Sequence, residues 1–259
     1  MKYKADKLKT IFKNMFSLTE DTASHEEIRD RIISGGKITG TNMCVLICAM
    51  IIASVGLNVN STAVIIGAML ISPLMGSILA MAYSLVSNDF KLFRNFAVGF
   101  AMQIVISILT STIYFLISPV KEPTPELLAR TSPGLFDVII ATAGGLAGII
   151  GQTRNGKFNN IIPGVAIATA LMPPICTCGY SIANANWKML GGAAYLFIVN
   201  AYFIFIASAL ILSLLKTPKV RELTESEWKH LRFRMLRNTI IVLIPSIVLA
   251  VLVFRGSSL

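Results

Sequence analysis

Apolar residues fall along this chain in seven long blocks, 42–57, 61–86, 94–118, 135–150, 161–183, 190–215 and 239–255, separated by short polar stretches. About 20 apolar residues carry a helix across a hydrocarbon core of roughly 30 Å. The pattern predicts an all-α polytopic membrane protein with about seven transmembrane helices. Two blocks are interrupted midway, the second by Pro73 in "VIIGAMLISPLMGSILAMAYSLV" and the fifth by Pro173 and Pro174 in "IATALMPPICTCGYSIA". A proline inside a helix lacks an N–H and pushes away the carbonyl four residues earlier. Spans two and five are therefore expected to be broken, with the carbonyls of Met69, Thr169 and Ala170 freed. Half-helices would restart at Leu74 and Ile175, with Ser72 and Pro73 suited to capping the first restart.

The polar blocks have patterns of their own. In "KYKADKLKTIFKNMF", Leu8, Ile11, Phe12, Met15 and Phe16 recur at helical spacing between lysines, the pattern of a helix lying on a membrane surface. "SHEEIRDRIISGG" predicts a short soluble helix with Ser24 as N-cap, Glu27 completing a capping box, and Gly35 and Gly36 ending it. Thr224 and Glu227 of "TESEWKHLRFRMLR" have the same relation. The expected organisation is a helical N-terminal segment (1–41), a first membrane repeat (42–118), a proline-rich linker (119–134) and a second repeat (135–215). An amphipathic segment (216–238) and a final membrane helix (239–259) follow.

The two repeats are read from order and spacing. Each is a short span, a proline-broken span and a long span. Gly56 of "GLNVN" corresponds to Gly151 of "GQTRN", Pro73 to Pro173, and "DFKLF" to "NWKML". The last pairing also sets Gln103, the amide inside span three, against Asn200, the amide inside span six. Three spans per repeat make the second copy cross the membrane in the opposite sense, giving a 3+3 inverted repeat. Such repeats with matched broken helices are a pattern of secondary transporters, which bind substrate near the midplane. At 1.5 Å per residue, Pro73, Pro173, Gln103 and Asn200 all come near mid-depth.

Composition agrees with the span pattern: 54% of the 259 residues are hydrophobic, 14% are charged, and the mean hydropathy is +0.71. The net charge of +10 would suggest nucleic acid in a soluble protein, but its distribution redirects that reading. With the N-terminus inside, the inner segments hold 19 of the 23 Lys and Arg, leaving Lys121, Arg130, Lys188 and Arg255 outside. This is the positive-inside bias. It predicts a multi-pass protein of a prokaryotic inner membrane, N-terminus in and C-terminus out, in contact with anionic lipid and not with nucleic acid. The first apolar block begins after some forty polar residues, so no signal peptide is expected.

Candidate chemistry lies at the breaks. Freed carbonyls suit a cation or hydroxyl, and the dipole ends of restarting half-helices suit an anion. Gln103 and Asn200 could equally hydrogen-bond between helices. The glycines of "GGLAGIIG", including Gly144 and Gly148, favour close helix contact over phosphate binding. Cys44, Cys48, Cys176 and Cys178 form neither a metal cage nor a disulfide framework, and His25 and His230 fall in polar segments. No Asp or Glu lies deep in a span. An enzyme is not expected, nor a metal or cofactor.

"EEIRDRIISGGKITGTNMCVLICAMIIASVGLNVNSTAVIIGAMLISPLMGSI", "GVAIATALMPPICTCGYSIA" and "LFIVNAYFI" together resemble the uncharacterised hydrophobic domain family of bacterial and archaeal membrane proteins, domain of unknown function 389. The resemblance covers roughly residues 24–215 and implies an integral membrane fold of about this span count, without an activity. Asn58, Asn60, Gly67, Ser72, Pro73, Pro173, Pro174 and Asn200 match positions of the family's motifs. The expected function is a transporter or channel for a small solute or ion. The candidate binding residues are Asn58, Asn60, Gly67, Met69, Ser72, Pro73, Gln103, Thr169, Ala170, Pro173, Pro174, Thr177 and Asn200. A structural or assembly protein, oligomeric through glycine-rich faces, is the second reading, and a lipid-binding or lipid-processing protein the third.

Overall fold

The computed structural model describes residues 21–155 and 171–256, and its regular elements there are helices, with one isolated antiparallel bridge between Thr22 and Arg154. The helices are α1 (His25–Gly36), α2 (Gly40–Asn58), α3 (Thr62–Ile71), α4 (Leu74–Val86), α5 (Phe90–Ile117), α6 (Pro125–Leu128), α7 (Leu135–Gln152), α8 (Met172–Ala183), α9 (Trp187–Leu214) and α10 (Glu225–Gly256). Four of these, α2, α5, α7 and α9, are long and apolar enough to cross a membrane. The pair α3 and α4, bent by 47° at Ser72 and Pro73, is a fifth if counted as one span. The chain is a multi-pass membrane protein. The amphipathic segment expected before Glu20 and the first half of the block 161–183 lie outside the described residues.

Four helices form the centre: α5 packs on α4 and α8, and α9 packs on the same two. Outside them α2 lies against α3 and α5, and α7 against α9. Small residues set the closest approaches. A Cβ on Gly179 of α8 would stand 2.6 Å from the Ser111 Cβ on α5, and one on Gly145 of α7 would stand 2.7 Å from the Ile204 Cα on α9. The glycine-rich run of α7 thus serves close helix contact, with Gly144 and Gly148 buried beside Gly145.

The two 28-residue helices α5 and α9 begin in the same way. Asn88 and Ala185 take the left-handed conformation, at φ 58° and 52°. Asp89 and Asn186 then cap, their side chains accepting from the N–H groups of Leu92 (2.9 Å) and Met189 (3.1 Å). A short polar side chain at the N-cap satisfies one of the N–H groups a helix start leaves unpaired.

Three expectations are corrected. The helix starting at Ser24 is docked and not free-standing: Ile28, Ile32 and Gly36 are buried against α4. Its cap is one-sided, since Ser24 Oγ accepts from Glu27 N–H (3.2 Å) while the Glu27 carboxylate pairs with Arg31 instead of returning to the cap. The fifth block restarts at Met172, not Ile175. Pro173 and Pro174 sit in the first turn of α8, where N–H groups have no intrahelical partner and their loss removes no hydrogen bond. The expected surface segment 216–238 and last span share one 32-residue helix, α10, because no glycine or proline stands between Glu225 and Ile244. Its start has the expected capping box, with Thr224 N–H donating to Glu227 (2.9 Å) and Glu227 N–H to Thr224 Oγ1 (3.4 Å).

Two polar clasps tie lead-in segments to span ends. Before α1, Ala23 N–H donates to the Thr153 carbonyl (2.9 Å) and the Asp21 carbonyl accepts from Asn155 N–H (3.0 Å), and from within α1 Arg31 donates to the Arg154 carbonyl, all just beyond the end of α7. Around α6, Thr124 Oγ1 donates to the Leu57 carbonyl (2.6 Å), Glu126 N–H donates to Asn60 Oδ1 (3.1 Å), and Thr62 donates to the Glu126 carboxylate, from the last turn of α2 to the start of α3. Ile32 and Leu127 are the buried anchors of the two.

Candidate functional site

The break between α3 and α4 follows from its sequence. Pro73 cannot continue the α3 ladder, and Ser72 turns extended (φ −74°, ψ 129°) so that α4 can begin at Leu74. Ser72 Oγ lies 3.5 Å from the Leu74 N–H, a long contact for a cap. The Met69 carbonyl, expected to be freed, accepts from Ser72 N–H at 3.3 Å, so the break partly closes on itself. On the other side, Thr177 Oγ1 donates to the Pro173 carbonyl (2.9 Å), and Pro173, Pro174 and Thr177 are all buried. Thr169 and Ala170 lie outside the described residues.

The two amides sit at matching places on α5 and α9. The rings of Phe100 and Phe197 stack with centroids 6.1 Å apart, and Gln103 and Asn200 each come three residues further along. Both amides are buried. Gln103 Oε1 accepts from Ser77 Oγ on α4 (2.8 Å). The remaining expected residues do not line the α3/α4 break. Asn58 Nδ2 donates to Ser118 Oγ (2.6 Å) and Tyr114 Oη (3.2 Å), while its buried Oδ1 has no partner among the described residues. Asn60 is a turn residue with φ 54°, and its side chain serves the second clasp. Gly67 faces outward, with nothing within 4 Å of a Cβ built on it.

Beyond the expected residues, the bundle contains a polar row in which Gln103 is joined by serines. Gln103, Ser107 and Ser111 recur every fourth residue on α5 and are all buried, so they share one face. Ser54 Oγ on α2 lies 3.0 Å from Ser111 Oγ, which donates to the Cys176 carbonyl on α8 (3.0 Å). Ser107 Oγ, between them, has no partner among the described residues. The i, i+4, i+8 spacing of these polar residues was the available signal. The row joins α4, α2 and α8 through α5, offering hydroxyl and amide groups with no ionisable side chain. Such groups can replace part of the hydration shell of a small ion or polar solute.

Among the described residues no group of three or more His, Cys, Asp or Glu is placed to hold a metal. A cavity lined in part by Phe90, His230 and Arg234 lies where α10 passes the start of α5, away from the α3/α4 break.

Residues 69–206, more than half of the chain, match the family described as Domain of unknown function (DUF389). The chain is also 28% identical, over 188 residues, to the uncharacterized protein MJ0678 of Methanocaldococcus jannaschii, covering 73% of this chain and 58% of that protein. No solved structure matches.

Proposed function

The chain belongs to the DUF389 family, and on that premise we propose that it is a transporter or channel for a small solute or ion. Its site lies near mid-membrane, between the α3/α4 break and the start of α8. The architecture we propose is two inverted three-span repeats, with the N-terminus inside and the C-terminus outside.

The observation that carries this reading is the correspondence of the helices around the site. Phe90 of α5 and Trp187 of α9 open helices of equal length and differ by 97 in number. The same offset relates the paired turns (Asn88 with Ala185, Asp89 with Asn186), the stacked rings (Phe100 with Phe197) and the buried amides (Gln103 with Asn200). It also relates two hydroxyls that return to their own helix, Ser84 to the Ala80 carbonyl and Ser181 to the Thr177 carbonyl. The clasps correspond as well: Ile32 and Leu127 differ by 95, as do Arg31 and Glu126. Each lead-in segment holds the end of the other repeat's first span, which in an inverted arrangement places one clasp at each membrane face. A central site with a closure at either face is what alternating access requires. The polar row on α5, with the unpartnered Ser107 hydroxyl, supplies groups for a neutral or weakly charged substrate path.

The test is flux into vesicles reconstituted with the purified chain, across a panel of alkali cations, chloride, phosphate and small neutral solutes. The wild type is expected to carry at least one of these, and Gln103→Leu and Asn200→Leu, folded normally, to lose it. Absence of flux across the panel, or flux unchanged in both variants, counts against the proposal.

A further inference from the structure

The segment joining α9 to α10 is fixed to the α4–α5 turn. Val220 N–H donates to the Ser87 carbonyl (2.7 Å), and Asn88 Nδ2 donates to the Arg221 carbonyl (2.8 Å). From there α10 departs from the bundle, touching α7 and α9 lightly, with Phe233, Leu236, Ile240 and Ile241 exposed. Between its first turns and the start of α5 is a cavity of about 350 Å³, lined by Phe90, Leu223, Glu227, His230, Leu231 and Arg234.

This lining has two chemistries. Phe90, Leu223 and Leu231 form an apolar wall. Glu227, His230 and Arg234 stand at i, i+3 and i+7 on one face of α10. The Glu227 charge is already engaged, accepting from Thr224 N–H (2.9 Å), Thr224 Oγ1 (3.0 Å) and Arg221 Nη2 (2.9 Å). Arg234 makes no ion pair among the described residues. The cavity therefore presents a cation beside an apolar surface. Its depth is set by Phe90, the first residue of a helix long and apolar enough to span, which puts it at the boundary of hydrocarbon and headgroups. Trp228, with the Lys219 ammonium 5.2 Å and the Arg232 guanidinium 5.4 Å from its ring, marks the same boundary. Residues 216–238 carry seven Lys and Arg against three Glu.

We propose that this cavity is a binding site for an anionic phospholipid. The headgroup phosphate sits on Arg234 and His230, and the glycerol and upper acyl carbons lie against Phe90, Leu223 and Leu231. Guanidinium matches phosphate in geometry as well as charge, and the lipid fills the wedge that α10 leaves beside α5. This site is independent of the transport reading.

The experiment is native mass spectrometry of the purified full-length chain with added phosphatidylglycerol. Wild type and Arg237→Gln, a charge change on the same helix outside the cavity, are expected to retain one tightly bound lipid. Arg234→Gln and His230→Gln/Arg234→Gln are expected to bind it about tenfold or more weakly, with Arg234→Lys intermediate. Phosphatidylcholine, which has a phosphate but no net charge, and glycerol 3-phosphate, which has no acyl chains, are expected to compete poorly. Competition by glycerol 3-phosphate as strong as by the lipid would make this a soluble-phosphate site and overturn the proposal. So would equal losses in Arg234→Gln and Arg237→Gln, the mark of diffuse electrostatics. Circular dichroism and elution volume exclude misfolded variants, with Arg234→Lys keeping the test open if Arg234→Gln fails to fold.

Discussion

Gly76→Ala should release α1 from the bundle. A Cβ on Gly76 would stand 2.1 Å from the Gly35 carbonyl oxygen and 2.8 Å from its carbon, so it meets backbone and no side chain can swing away. Reaching the 3.0 Å below which real Cβ contacts are essentially never found needs a separation of roughly 1 Å between α4 and the end of α1. That movement also disturbs Gly36, which fits against Ala80 and Phe96. Overpacking of this kind costs about 1–3 kcal/mol. Alanine's helix-propensity gain acts on α4 whether α1 is docked or not, and so cancels in the docking equilibrium. Taking about 2 kcal/mol, amide exchange across His25–Gly36 should speed up about 30-fold, read by hydrogen-exchange mass spectrometry in nanodiscs. Gly67→Ala is the matched control, since its Cβ meets nothing within 4 Å, and should leave α1 exchange unchanged. Unaltered α1 protection in Gly76→Ala, with the protein folded, would refute the close packing of α1 on α4.

Gly192→Ala should loosen the second clasp in the same way, because its Cβ would stand 2.0 Å from the Thr131 carbonyl oxygen; exchange should rise in residues 124–131 and not in α1. Gln103→Leu leaves the buried Ser77 hydroxyl without its acceptor and should destabilise the bundle by about 1–3 kcal/mol. Adding Ser77→Ala should recover part of that in thermal unfolding, a recovery absent if the Ser77–Gln103 bond (2.8 Å) does not form. The N–H and hydroxyl of Thr224, with Arg221 beside them, hold the Glu227 carboxyl below the usual carboxylate range. A carboxylate depressed in the fold stabilises it at neutral pH and loses that contribution as pH falls through the folded value. Protection of the first turn of α10 should therefore hold from pH 7 to 5 and fall below about pH 4, and Glu227→Gln should abolish that acid step.

Much of this arrangement is legible in the chain because local rules govern it. Pro73 removes an N–H from the helix ladder and favours a break, Asp89 and Asn186 are N-caps by chemistry, and Thr224 with Glu227 makes its capping box from neighbours alone. What the sequence hides is decided at a distance. Ile28 and Ile32 look like one side of a soluble helix until α4 brings Leu79, Ala80 and Tyr83 into one buried cluster with them. Pro173 and Pro174 read as a mid-helix break because a proline pair in an apolar run fits the first turn of a helix, where α8 places it, as well as an interruption. Ser107 and Ser111 are inconspicuous because serine is tolerated on any helix face, and only the packing of α2 and α8 on α5 turns their spacing into a buried polar row.

The proposed transport site, at mid-depth between the α3/α4 break and the start of α8, must be accessible to water. That access is tested most directly by introducing single cysteines as Ser72→Cys, Gln103→Cys and Asn200→Cys, with Cys44, Cys48, Cys176 and Cys178 replaced. Each variant is reconstituted in vesicles and exposed to a membrane-impermeant thiol reagent. Labelling is expected at all three positions. Inert thiols at all three, beside full labelling of Val59→Cys in a position 62% exposed, would mean a dry, packed midplane and contradict it.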